Sequence, residues 1–290
     1  TIALIDSAYI KFRADSAYIT SIIDSSHINS QVNILDSAAV LSIADSAQLD
    51  SAEVVQMIDS IDRANVDEMI KLDKFIDVII PRGGKGLIKT INENSSIPVI
   101  KHLDGICHIF VENDANLEKA KAIILNSKMR RPGICGAAES LLINESLYDQ
   151  ALEILKPLVN AGCEIRGDKS ICKLNPEFKL ADNNDWGTEY LEKIISVKLV
   201  KNVDEAIDHI NTYSSGHTES IITEDIEKFN KFYKRINSAI ILHNASTQFA
   251  DGGEFGFGGE VGISTNKLPP RGPVGLNQLV TYKYEVLGSG

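Results

Sequence analysis

Three observations predict an α/β fold. Apolar runs of strand length alternate with amphipathic helical patterns along most of the chain beyond residue 65. A glycine-rich turn, Pro81-Arg82-Gly83-Gly84-Lys85-Gly86, joins the end of one such run to a helix start. All 20 glycines, 8 prolines and 4 cysteines fall beyond residue 80, where the turns of such a fold are needed. With 290 residues and 43% hydrophobic side chains, the chain can bury a sizeable core. A mean hydropathy of −0.04 with no long uncharged apolar run excludes a membrane-spanning helix. A net charge of −11 argues against a nucleic-acid partner.

The first 50 residues are of another kind. Asp-Ser pairs recur at Asp6, Asp15, Asp24, Asp36, Asp45, Asp50 and Asp59, four of the six steps being nine residues. Asp and Ser cap helices, and Ile19, Ile22 and Ile23 have helical spacing, so short helical turns are expected. A nine-residue step rotates a helix by about 180°, which speaks against one long amphipathic helix. In composition the repeats resemble Asp-Ser-Ala tracts of phage structural proteins. They carry no secretory signal pattern.

The elements follow in order. A helix is predicted over residues 65–72, and a buried strand over 75–80. The glycine-rich turn comes next, with a helix opening at 87–91. That turn can offer backbone N–H groups and a helix dipole to phosphate, although it has neither the dinucleotide fingerprint nor the Walker spacing. A strand at 106–111 precedes a helix at 116–128 and a strand at 140–143. A helix at 152–159, a strand at 194–200, helices at 203–213 and 226–236, and a strand at 239–242 complete the alternation. Residues 280–286, with Tyr282 and Tyr284 alternating, read as a terminal strand.

Cys135 lies between Gly133 and Gly136, just after Arg130 and Arg131. Small neighbours leave room for a substrate and nearby cations favour a thiolate, so Cys135 is a candidate nucleophile; a small buried core residue is the alternative. Cys107, Cys135, Cys163 and Cys172 lack CxxC spacing and a matching histidine cluster, so no metal is expected and free thiols in a reducing cytoplasm are. Five glycines between Asp251 and Glu260 suit close backbone approach to a ligand, or a loop woven between elements.

From about residue 51, five ordered blocks resemble the gamma-glutamyl phosphate reductase (glutamate-5-semialdehyde dehydrogenase) family of the aldehyde dehydrogenase superfamily: IIPRGGKGL at 79–87, VIKHLDGICH at 99–108, MRRPGICGAAE at 129–139, NASTQFADGGEFGF at 244–257 and RGPVGL at 271–276. The resemblance implies NADPH-dependent reduction of L-glutamyl 5-phosphate to glutamate 5-semialdehyde in proline biosynthesis, through a thioester on Cys135. It also implies cofactor contacts from Arg82, Gly83, Gly84 and Glu189. His102 would stand where hydrolysing relatives place a Glu base, with a hydrogen-bonded structural histidine as the alternative. Asn244, Ser246, Thr247 and Arg271 would hold the substrate's charged groups, Arg271 having a structural or interface role as its alternative. A homo-oligomer built through the terminal strand and coupling to glutamate 5-kinase are further implications, as is a cytoplasmic location.

The resulting expectation is a repeat leader at 1–50, part of a Rossmann-like cofactor domain at 51–102, a catalytic domain at 103–265 and a terminal segment at 266–290. Residues 1–50 do not match the family's opening strands or its Arg-Pro-Asn segment, which brings an oxyanion-supporting Asn. The competing expectation is therefore a non-catalytic reductase module fused to a structural repeat.

Overall fold

The computed structural model describes residues 2–5, 10–11 and 63–289. The chain divides into two compact units, Thr1–Leu103 and Asp104–Gly290. The helical turns expected around Ile19–Ile23, and the rest of the repeat leader beyond its two short strands, lie outside the described residues.

In the first unit, β1 (Ile2–Ile5) pairs in parallel with β3 (Val78–Pro81) and antiparallel with β2 (Ile10–Lys11). Helix α1 (Arg63–Met69) precedes β3, and α2 (Lys85–Asn94) follows it. Val66, Met69, Ile70, Ile76, Ile79, Ile91 and Ile97 form the core between them. The strand expected from residue 75 starts only at Val78. Phe75 and Ile76 instead donate their N–H groups to the Leu72 carbonyl, in a turn that closes α1.

The second unit is built on seven parallel strands: β4 (Cys107–Val111), β5 (Ala138–Asn144), β6 (Glu164–Gly167), β7 (Lys179–Leu180), β8 (Ile194–Val200), β9 (Thr218–Ile222) and β10 (Ile240–His243), in the order β10-β9-β4-β5-β8-β6-β7. Alternation along each strand sends side chains to two faces. Ile109, Val111, Leu141 and Ile143 meet α3 (Leu117–Met129) and α4 (Tyr148–Asn160) on one face. Phe110, Leu142 and Ile221 meet α5 (Val203–Tyr213) and α6 (Ile226–Arg235) on the other. Helices on both faces bury β4, β5 and β9 along their whole length. Caps fix where the helices begin: the Asn116 side chain accepts from the Lys119 N–H, Asn202 from Asp204 and Glu205, and Asp225 from Glu227.

The parallel register sets the edges of this sheet. Cys107 lies opposite Ala138, and Thr218 opposite Ile240, so the starts of β4, β5, β9 and β10 share one edge. A two-stranded antiparallel ribbon, β11 (Gly262–Ser264) and β12 (Gly272–Val274), follows β10. Within this chain the segment 280–286, expected as an oligomerisation strand, runs without a ladder: among the described residues no strand pairs with it, and Tyr282, Tyr284 and Val286 are exposed. An extended segment becomes a strand only when a neighbour accepts and donates its backbone hydrogen bonds. Among the described residues no helix is long and apolar enough to cross a membrane.

Candidate active site around Cys135

Cys135 stands three residues ahead of β5, at the edge shared by the strand starts, in a turn where Ala137 donates to the Ile134 carbonyl. Its surroundings come from four parts of the second unit. From β4, the Cys107 thiol donates to the Cys135 carbonyl at 3.1 Å, and the Cys107 sulfur lies 3.6 Å from His217 Nδ1. Ahead of β4, Gly105 presses against the Cys135 main chain so closely that a Cβ there would fall 2.1 Å from the Cys135 oxygen. From the turn at Thr247–Phe249, Gln248 Nε2 donates to the carbonyls of Ser127 and Arg131, and the Thr247 N–H donates to the Ser127 hydroxyl. The segment before β8 adds the Leu191 carbonyl, 3.7 Å from where a Gly133 Cβ would stand.

Burial raises three of the thiols. Cys107 is fully buried, and burial first, then the charges of Glu219, Cys135 and Glu139, push its thiol well above its ordinary range. Burial carries Cys163 up to about 12 and also raises Cys172. Cys135 is half-buried, on an irregular turn. Of the two cations upstream, Arg130 turns outward to Glu254, 3.3 Å away on the glycine-rich loop, and Arg131 is exposed.

Just behind Cys135 the structure reveals a buried ion pair that sequence reasoning did not single out. Lys128 Nζ, in the last turn of α3, donates to Glu139 Oε2 in β5 at 2.5 Å, and both side chains are almost wholly removed from solvent. Burial pushes the Glu139 carboxyl up to about 7, against the pull of Lys128. A glutamate near the start of a strand with a Leu-Leu-Ile core, eleven residues after a lysine at a helix end, was the available signal.

The residues predicted from sequence are distributed as follows. Arg82, Gly83, Gly84 and His102 belong to the first unit. Gly83 has φ +148, and Gly84 is the N-terminal flank of α2 without a side-chain cap, in open space. Uncapped N–H groups at the start of a ten-residue helix fit a phosphate of a dinucleotide. In the second unit, Glu189 Oε1 accepts from the Gly105 N–H at 2.8 Å, so this oxygen supports the cysteine's neighbour. Asn244, at φ 52, accepts from the Thr223 N–H and donates to the Thr223 carbonyl, imitating a backbone partner at the far end of β9. The Ser246 hydroxyl accepts from Ser127 and from the Gln248 N–H. The Thr247 hydroxyl is buried with no hydrogen-bond partner, as is Gln248 Oε1. Arg271 clasps the Asn237 side chain and carbonyl ahead of β10. Thr247 and Gln248 are thus brought beside the Cys135 turn, while Asn244 and Arg271 hold other loops.

A model of the aldehyde dehydrogenase family matches residues 182–278. Gamma-glutamyl phosphate reductases of Bartonella bacilliformis and Brucella suis are each 52% identical, over 239 and 241 residues; the matches take in 82% of this chain and 58% and 57% of those proteins. The chain is a homologue of the gamma-glutamyl phosphate reductases. It spans about three fifths of the length of these relatives. The crystal structure of gamma-glutamyl phosphate reductase from Thermotoga maritima superposes with a TM-score of 0.77 at 44% identity, covering 91% of this chain and 64% of that one. An acetylating aldehyde dehydrogenase from Geobacillus thermoglucosidasius, at 20% identity and a TM-score of 0.60, shares the fold over 87% of this chain and 67% of its own. The fold is therefore the aldehyde-dehydrogenase-like α/β fold.

Proposed function

We propose that this chain carries the catalytic part of an NADPH-dependent reductase that converts L-glutamyl 5-phosphate to L-glutamate 5-semialdehyde and phosphate, the chemistry of proline biosynthesis. The observation that carries the reading is the seating of Cys135. It is the one cysteine on an irregular turn between glycines, with its main chain held by Gly105 and Cys107. The Cys135 thiolate attacks the acyl carbon; the carbon–oxygen bond to phosphate breaks and a thioester forms. NADPH, when bound, supplies the hydride that takes the thioester to the aldehyde level. Arg82, Gly83 and Gly84, with the open N-terminus of α2, are the residues to hold it. Within the second unit, Thr247 brings a buried hydroxyl to the substrate side of the Cys135 turn, while Asn244, Ser246 and Arg271 shape the loops around it. Glu189 acts on Gly105, and His102 stands, by resemblance, at the position where hydrolysing relatives place a Glu base. The exposed terminal segment with Tyr282 and Tyr284 is the place for strand pairing with a second copy. The enzyme is cytoplasmic in this reading, and coupling to glutamate 5-kinase would deliver its labile acyl phosphate.

Phosphate-dependent NADPH formation from glutamate semialdehyde tests the proposal against a Cys135→Ala control. Turnover that vanishes in the control supports it. No turnover above the control from a folded protein would refute it and leave the reading of a non-catalytic module.

A further inference from the structure

We infer that Glu139 and Lys128 are positioning residues for the Cys135 turn, acting through a closed circuit of contacts around it. The inference rests on the reading of Cys135 as the nucleophile. Lys128 is the penultimate residue of α3 and Glu139 the second residue of β5, so their 2.5 Å contact ties together the two ends of the segment that carries Cys135. Glu139 reaches onward as well: its other oxygen, Oε1, accepts from the Leu191 N–H at 3.3 Å. Leu191 has φ 55, a conformation that non-glycine residues rarely adopt and that persists only where surroundings impose it. The turn so held presents the Leu191 carbonyl to Gly133 on one side. Two residues earlier it carries Glu189, whose Oε1 takes the Gly105 N–H at 2.8 Å. Gly105 in turn lies directly on the Cys135 main chain. The circuit runs from Lys128 through Glu139, Leu191, Glu189 and Gly105 back to Cys135.

A merely stabilising role is the weaker explanation of this pair. Removing two charges from water costs about as much as their attraction returns, so a buried ion pair adds little net stability over apolar residues of the same volume. What it supplies is direction. Each partner is satisfied in a single geometry, and Glu139 in that geometry has its second oxygen on Leu191. A nucleophile needs such a frame, because a displacement of about 1 Å can cost on the order of a hundredfold in rate.

The test is amide hydrogen exchange on the K128M/E139Q double variant, which leaves no unpaired buried charge, with K128R as the conservative control. The expected result is an exchange rate at least tenfold faster in peptides covering 129–137 and 188–192, with α4 and β8 unchanged. K128R keeps a cation opposite Glu139 but not the ammonium's fit in this buried site, so its exchange should fall between the wild type and the double variant. Unchanged protection of the two segments in the folded double variant would overturn the inference. So would a uniform rise across the whole unit, or a failure of the double variant to fold, since either makes the pair a general structural support. Exchange requires neither substrate nor NADPH, so an inactive wild-type chain would count against the proposed function without touching this result.

Discussion

Gly105→Ala is the most direct perturbation of the cysteine's seat. A Cβ at Gly105 would lie 2.1 Å from the Cys135 carbonyl oxygen, 2.5 Å from its Cα and 2.6 Å from its carbonyl carbon. Ordinary contact begins near 3.4 Å, so the two main-chain segments must separate by roughly 1 Å, and no side-chain rotation can relieve a backbone overlap. Overpacking of this kind costs about 1–3 kcal/mol, which lowers the melting temperature by about 2–12 °C in a unit of this size. The same displacement removes the Cys135 carbonyl from the Cys107 thiol and shifts Cys135, so the turnover of the proposed reductase should fall on the order of a hundredfold. Thermal unfolding by circular dichroism and phosphate-dependent NADPH formation measure the two effects. Gly133→Ala is the matched control, because its Cβ would meet only the Leu191 carbonyl at an ordinary 3.7 Å. A Gly105→Ala protein that melts within about 1 °C of the wild type and keeps its turnover would refute the argument.

Two further outcomes follow from the same geometry. Asn244→Ala removes two hydrogen bonds to the Thr223 main chain and leaves a Cβ residue at φ 52. It should destabilise the protein by about 2–4 kcal/mol; an unchanged melting temperature would contradict the clasp. For Glu139, the folded carboxyl lies above its ordinary 4.5, so the folded state binds its proton more tightly and the stability it contributes is lost as pH rises from 4.5 through about 7. The stability difference between the wild type and Glu139→Gln should therefore shrink over that window, by at most about 3 kcal/mol. A pH-independent difference in denaturant unfolding would show that burial of Glu139 does not govern its proton.

Periodicity made the helices and the apolar strands legible. The strand at Ile194–Val200 and the helix at Val203–Tyr213 have the bounds their sequence predicts. The central strand Thr218–Ile222 escaped because Thr218, Glu219 and Ser220 read as polar. Those residues are buried all the same: Glu219 accepts from the His108 N–H, Ser214 and Ser238, and the Ser220 hydroxyl donates to the Ala245 carbonyl. Local pattern carries no record of partners that lie twenty or a hundred residues away. The terminal segment shows the converse. Alternating Tyr282 and Tyr284 have the period of a strand, yet among the described residues of this chain the segment has no neighbour with which to exchange hydrogen bonds.

The site shows the same division between chemistry and support. Cys135 stood out because a candidate nucleophile leaves a local trace: a thiol between glycines. Its frame leaves almost none. Gly105 is informative only once the Cys135 main chain is known to lie against it, and Glu189 only once the N–H it accepts from is known to be Gly105's. Family resemblance gives Glu189 to the cofactor and Asn244 to the substrate. In the folded chain each spends an oxygen on the backbone of another segment. Proximity in a motif therefore marks which loops converge, whereas the division of those loops into reacting and supporting side chains is decided by where each polar atom finds its partner. On that criterion Thr247, brought beside the cysteine turn with its hydroxyl buried and unpartnered, is the predicted residue whose side-chain oxygen the fold commits to no other segment.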